Sequence, residues 1–298
     1  MIVCIVGPTG IGKTELSLQL AEHYNTEIIS GDSVQVYKKM DIGSAKVTKE
    51  EQERIKHHLI DLYDITEQFS VAVFQQNVRD KIKDFENQSL IPLIVGGTGL
   101  YIKSVLYDYN FDHTLRDDSL AEIYKDLDNE ALFQVLIDKD PVQAEALHPN
   151  NRKRVLQAIG RAKGNKMSNN TSKDKMLYNY VMIGLTMDRT ELHKRIEQRV
   201  DQMFEMGLVE EVKALMEIKT KSFALDAIGY KEIVAYLNGE MTLEEAKERV
   251  VIHTRQLAKK QYTFFNNQLN VSWIDKDVYN TDKALLNEAI RLIDKAMM

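Results

Sequence analysis

A lysine and a threonine closing a glycine-rich octapeptide, and an aspartate eighteen residues beyond them, are the residues of this chain whose types and spacing fit a reaction. The octapeptide GPTGIGKT, residues 7–14, fits the phosphate-loop pattern G-x-x-x-x-G-K-[ST]. In such a loop the backbone N–H groups converge on phosphate oxygens, with the amino-terminus of the next helix behind them. Lys13 brings a full positive charge to the terminal phosphates, and the Thr14 hydroxyl is placed to reach a Mg²⁺ ion. The aspartate is Asp32, in GDSVQVY. A phosphate-loop NTPase needs a carboxylate for its metal, usually at the end of a buried strand. The apolar run LIPLIV leads into Gly96-Gly97-Thr98-Gly99 without an acid, so Asp32 is either that metal carboxylate or serves another purpose.

Its neighbours suggest one. Ser33 and Gln35 are neutral groups able to bond a base edge, and glutamine is a common reader of adenine. Asp32 with Gln35 would hold an adenine-like ring with its amine against the carboxylate. The plainer readings are a helix N-cap for Asp32 and turn formation for Ser33 and Gln35. Arg195 and Arg199, four apart in LHKRIEQRVDQM, share a helix face from which one of them reaches a phosphate opposite the loop. The competing expectation, strongest for Arg195, is an ion-pair network with Glu197 and Asp201. His57 and His58 have no further ligand at zinc spacing and read as structural. A nucleotide kinase would want an arginine-rich lid, which the basic stretch 152–175 offers, so that reaction stays open on the residues alone.

The elements that position these groups are legible in the apolar pattern. Residues 2–6, IVCIV, form a short strand before the loop, and 14–24 follow with helical spacing. This strand–loop–helix context is what a phosphate loop requires. EIIS (27–30), 91–95, 180–186 and 271–274 read as further strands, and 70–86, 100–106, 190–205, 209–219, 243–265 and 285–297 as helices. The alternation predicts an α/β fold with a mostly parallel sheet covered on both faces, a P-loop NTPase-like core. From Leu115 to Lys163 the strand signals stop, and the polar segment 164–175 lacks apolar period. The expected organisation is a core of 1–112 and 176–298 interrupted by a helical insertion, 113–175.

Composition narrows the class. The 298 residues are 44% hydrophobic and 28% charged, ordinary values for a globular enzyme of about two domains. No apolar run approaches the ~20 residues of a membrane span. The single cysteine, Cys4, excludes an internal disulfide and a multi-cysteine zinc module, and reads as a small buried hydrophobe. The default location is cytoplasmic. A net charge of −6 argues against general nucleic-acid binding, yet residues 151–175 hold eight Lys or Arg against one acid. Such asymmetry suits a local polyanion site, and also a plain solvated helix face.

Taken in order, GPTGIGKT, GDSVQVY, MDIGSAK, HHLID, FSVAVFQ, LIVGGTGLYI, HPNNRKRV, RIEQRV, AIGYKE and TRQLAKKQ resemble the motifs of tRNA dimethylallyltransferases (tRNA isopentenyltransferases) of bacterial type, over residues 7–261. The resemblance implies that the loop holds the pyrophosphate of dimethylallyl diphosphate, through Gly7, Thr9, Gly10, Ile11, Gly12, Lys13 and Thr14, with Arg199 gripping it as well. It implies Mg²⁺ at Thr14, and transfer of the dimethylallyl group to the exocyclic amine of the adenosine just 3′ of the anticodon, with Asp32 as general base. Lys13, Thr14 and Arg199 complete the implied catalytic set. Asp32, Ser33, Val34, Gln35, Thr98, Lys153, Arg154 and Gln157, together with the region 226–231, match positions that touch tRNA. No membrane and no obligate protein partner is implied, and a monomer is expected. Gln157 and Gly160 depart from the Arg and Glu usual in the family, and Lys260-Gln261 and Thr263-Phe264 from the usual Arg-Gln and Thr-Trp. An adenylate isopentenyltransferase, which prenylates free nucleotides, shares the loop and the Asp motif but fits the insertion and HPNN less well.

Overall fold

The structure, a computed structural model, describes residues 1–109, 111, 119–163, 175–218, 222–279 and 281–298. These fall into two compact units, Met1–Tyr107 with Met176–Met298, and Asp108–Lys175. The expected boundary at 112/113 and nearly all of the polar segment 164–175 lie outside the described residues.

The first unit begins with β1 (Ile2–Val6), α1 (Lys13–His23), β2 (Ile28–Ser30), α2 (Lys49–Arg54), β3 (His57–His58), α3 (Val71–Asn87), β4 (Leu93–Gly96) and α4 (Gly99–Leu106). The second unit holds α5 (Ser119–Ile123), α6 (Asn129–Lys139), α7 (Pro141–Glu145) and α8 (Arg152–Lys163). The chain then returns to the first unit through β5 (Tyr180–Thr186), α9 (Arg189–Glu205), α10 (Leu208–Met216), α11 (Tyr230–Leu237), α12 (Leu243–Gln268), β6 (Ser272–Asp275) and α13 (Asp282–Met297). The six strands form one sheet in the order β3-β2-β4-β1-β5-β6, and every pairing is parallel.

β1 sits inside the sheet because all five of its residues are apolar and buried. Its alternate side chains feed two different cores, as the period of two demands. Val3 and Ile5 pack with Leu16 and Leu20 of α1, Ile196 of α9 and Ile293 of α13. Ile2, Cys4 and Val6 pack with Phe74 and Val78 of α3, Ile102 of α4 and Phe265 of α12 on the other face. Cys4 is fully buried, and burial pushes its thiol pKa up, which leaves it unreactive. A third cluster, centred on Tyr230, joins α10, α11 and Ala246 of α12 beneath Val36 and Met40. In the second unit α6 and α8 meet through Leu132, Leu136, Val155 and Ile159.

The sequence pattern misses α2, α11 and the two-residue β3. α2 carries no buried residue and is marked instead by a capping box between Thr48 and Glu51. Three strands start later than the sequence pattern places them: Glu27, Ile91 and Val271 stay outside β2, β4 and β6. The close of β4 against β2 depends on glycine. A Cβ on Gly96 would lie 2.4 Å from the Gly31 carbonyl oxygen, so the two backbones meet without side chains between them.

Candidate active site

The carboxyl ends of β1, β2 and β4 open into one cleft, where open parallel sheets bind ligands. Its cavity, about 120 Å³, holds several times the space of one water and is lined by Thr9, Gly10, Gly12, Lys13 and Thr14 of the loop, and by Asp32 and Arg199. The loop passes into α1 through Gly12, whose φ of 94° is open to glycine at little cost and strained for other residues.

Lys13 folds back over the loop, donating from Nζ to the carbonyls of Gly7 at 3.0 Å and Pro8 at 2.9 Å. Desolvation by the surrounding protein, and then the Arg199 charge, push its pKa down to about 7, against the pull of Asp32. Arg199, from α9, is lowered by desolvation as well, and Asp32 again opposes. Neither cation has a carboxylate within ion-pair distance among the described residues. Two cations with one carboxylate in the same cleft leave a positive excess, and the amino-terminus of α1 behind the loop shares its sign. The arrangement calls for an anion with several oxygens.

Asp32 is no helix cap. One of its carboxylate oxygens, Oδ1, accepts from the N–H of Val34 at 2.8 Å and of Gln35 at 3.3 Å, which closes a tight turn after β2. The turn fixes the side chain and leaves Oδ2 without a hydrogen bond from the described residues. Asp32 lines the cleft, and a carboxylate held by one oxygen keeps the other available to accept a proton. Gln35 lines the same cleft, but its amide nitrogen is engaged, donating to the Ala45 carbonyl at 3.2 Å. The 44–45 turn that receives it is itself fixed: the N–H groups of Asp41, Ile42 and Gly43 donate to the Glu211 carboxylate, and the N–H of Ser44 to the Tyr230 hydroxyl.

The other sequence-predicted residues are distributed unevenly. Gly7 and Ile11 frame the loop without lining the cleft, and the Ile11 side chain is in the core. Ser33 and Val34 lie on the Asp32 turn outside the cleft, with Val34 packed toward the Tyr230 cluster. Thr98 precedes α4 with no side-chain cap, also outside the cleft. Lys153, Arg154 and Gln157 are on α8 in the second unit, the first two exposed. The expected pairing of Arg195 with Glu197 and Asp201 does not form. Glu197 instead pairs with Arg255, and Asp201 with Lys247 at 2.8 Å, because both acids face α12. His58 bonds Glu27 at 2.6 Å from Nε2, in keeping with a structural reading, while its neighbour His57 borders the cleft. His253, on α12, meets the buried Glu232 through its Nδ1 at 2.6 Å.

Sequence reasoning missed Gln261, which reaches the cleft from α12, and the Ser30, Ser44 and His57 borders. Gln261 stands in TRQLAKKQ, a stretch with no local pattern that signals a loop contact. The described residues contain no group of three or more His, Cys, Asp or Glu suited to a metal. The Thr14 hydroxyl and the Asp32 carboxylate do line one cleft, a sparse all-oxygen set. Such a set fits a Mg²⁺ ion that keeps its waters and shares a phosphate ligand, not a metal caged by protein alone. Among the described residues no helix is long and apolar enough to cross a membrane.

A family model described as IPP transferase matches residues 35–268. A tRNA dimethylallyltransferase of Anoxybacillus flavithermus is 45% identical over 298 residues, covering 98% of this chain and 96% of that one. The tRNA dimethylallyltransferase of Bacillus subtilis is 47% identical over 283 residues, covering 92% and 90%. Among solved structures, a tRNA isopentenylpyrophosphate transferase of Staphylococcus epidermidis superposes with a TM-score of 0.75 at 41% identity, over 99% of this chain and 98% of the other. A eukaryotic dimethylallyltransferase acting on tRNA superposes with a TM-score of 0.81 at 28% identity, over 97% and 77%.

Proposed function

This chain belongs to the IPP transferase family, as a tRNA-modifying transferase, and from that membership we propose that it moves a dimethylallyl group from dimethylallyl diphosphate to the N6 amine of the adenosine 3′ of the anticodon. The observation that carries the reading is that one cleft is lined by the Asp32 carboxylate and by the cations Lys13 and Arg199, neither of which has a carboxylate at ion-pair distance among the described residues. A diphosphate settles on the loop amides, Lys13 and Arg199, with its allylic carbon toward Asp32. Thr14, with Asp32 near, would hold Mg²⁺, which supplies charge neutralisation for the diphosphate.

An exocyclic aryl amine is a weak nucleophile that is hard to deprotonate in advance. The nitrogen forms its bond to the allylic carbon as the carbon–oxygen bond to diphosphate breaks, and Asp32 Oδ2 takes the amine proton. The charge that grows on the leaving oxygen is met by Lys13, Arg199 and the loop amides, which are already in place. The adenosine must leave its stack to reach the carboxylate, as base-modifying enzymes require. The exposed cations Lys153 and Arg154 of α8 serve the tRNA backbone, where shape and phosphate dominate recognition. The enzyme works as a monomer in the cytoplasm, where its tRNA is.

The test is a transfer assay with Mg²⁺, radiolabelled dimethylallyl diphosphate and unmodified tRNA, with AMP and ATP as parallel acceptors. Label in tRNA, lost when the target adenosine becomes guanosine, is the expected result. Label in the free nucleotide would move the enzyme to the adenylate-using branch. No transfer, with ADP formed from ATP, would overturn the reading in favour of a kinase.

A further inference from the structure

The phosphate loop is braced by side chains its motif does not contain. The Thr9 N–H donates to Gln261 Oε1 at 2.9 Å, across 252 residues of sequence. The Ile11 carbonyl accepts from Lys276 Nζ at 3.2 Å. Gln261 lies flat on the turn after β4, where a Cβ on Gly97 would stand 2.3 Å from Nε2 and 3.3 Å from the Gly7 carbonyl oxygen. Three residues further along α12, Phe264 covers Gly99 in the same way, 2.2 Å from a Cβ there. Two side chains on successive turns of one helix, each fitted to a glycine, fix α12 in register against the 97–99 turn. Gln261 is thereby aimed at the loop, and it also borders the cleft.

We infer that Gln261 is a positioning residue for the diphosphate: it holds the Thr9 peptide so that the amides following it stay turned into the cleft before the ligand arrives. This rests on the reading above, that the loop takes a diphosphate. Thr9 borders the cleft, so water can replace Gln261 as the acceptor of its N–H and the fold loses little. What is lost is a loop already in its bound shape, a cost that falls on ligand affinity. Lys13 secures the carbonyls of Gly7 and Pro8, but among the described residues the amide of Thr9 has no acceptor other than Gln261.

The test uses inorganic pyrophosphate and the full chain with Gln261→Met, which keeps the length and flexibility of the side chain and removes the acceptor. The dissociation constant for pyrophosphate rises about five- to tenfold, the loss of one hydrogen bond. KM for dimethylallyl diphosphate rises with it while KM for tRNA stays within about twofold. In the free protein the Thr9 amide exchanges with solvent roughly tenfold faster, whereas the β1 amides do not change. Pyrophosphate affinity within about twofold of native, or an unchanged Thr9 amide, overturns the inference. Should the β1 amides accelerate too, Gln261→Glu decides, because its carboxylate keeps an acceptor at the same reach. A Thr9 amide slow again in that variant supports the brace, and one that stays fast overturns it. Pyrophosphate binding and exchange need no turnover. A native protein that binds pyrophosphate but transfers nothing to tRNA would defeat the functional reading and leave the brace standing.

Discussion

The cations of the cleft and the cations of α8 are the same side chains in opposite settings. Lys13 and Arg199 are half-buried and desolvated in a cleft that one carboxylate also lines; Lys153 and Arg154 stand in solvent. Enclosure makes a charge expensive and its partner specific, since a missing counter-ion cannot be replaced by a passing salt ion. Exposure makes a charge inexpensive, screened and indifferent to which phosphate it meets. A count of Lys and Arg along the chain finds the second setting, the +7 stretch, and passes over the first, which lies in a chain of net charge −6.

The comparison is broken most directly at the one acid among the enclosed cations. Asp32→Asn keeps the turn, because an amide oxygen can accept from Val34 and Gln35, but removes the proton acceptor. Turnover is expected to fall by about 10²–10⁴. Pyrophosphate should bind at least as tightly as to the native protein, since the negative charge opposing it is gone. Calorimetry beside a single-turnover assay checks both, and a variant that lost affinity and rate together would show that Asp32 holds the ligand instead of the proton.

Next is Arg199→Ala. Removing a charge-assisted hydrogen bond from an enclosed site should weaken pyrophosphate binding by roughly 10- to 100-fold. tRNA affinity, measured by filter binding, should stay within about twofold, and an equal loss for both ligands would erase the distinction between the two sets of cations.

Lys13 sharpens the contrast through protons. With its pKa pushed down to about 7, the free protein at pH 8 carries Lys13 largely neutral. A bound diphosphate favours the charged form, so binding draws in a proton, and affinity falls as pH rises above 7. Near pH 6 the lysine is already charged and uptake fades. Calorimetry in buffers of differing ionisation enthalpy reads the uptake, and Lys13→Arg, charged throughout, gives the ligand's own share to subtract. Equal uptake in both proteins at pH 8 would mean that the lysine does not titrate there.

How much of this was legible in the sequence follows from distance along the chain. The strand, loop and helix of 2–23 are contiguous, so their pattern is complete in one window, and β5 falls on the residues its apolar run marks, Tyr180–Thr186. Asp32 is legible because it follows a strand by two residues. The braces of the loop are not, because Gln261 and Lys276 arrive from 252 and 265 residues away. Gln35 was legible as a residue of the cleft but not as one whose donor a turn consumes, since Glu211 and Tyr230 build that turn from α10 and α11. α2, six residues long and without a buried residue, has no apolar period to register.

The smallest effect lies within α8 and separates cations that look alike in RKR. Arg152 donates to the carbonyls of Tyr124 at 2.6 Å and Leu127 at 2.7 Å, so it is part of the fold of the second unit. Lys153 and Arg154 have no such bonds among the described residues and are exposed. Arg154→Ala should therefore weaken tRNA binding a few-fold and lower the slope of log K against log salt by about 0.7–1, with no change in melting. Lys153→Ala should do the same. Arg152→Ala should leave the salt slope alone and cost about 1–3 kcal/mol of stability, because two carbonyls lose their donor. Salt titrations and thermal melts on the three variants sort them. If Arg152→Ala moved the slope while Arg154→Ala did not, the cations that meet the tRNA would be those the fold already holds, and the division between enclosed and exposed charge would fail in this unit.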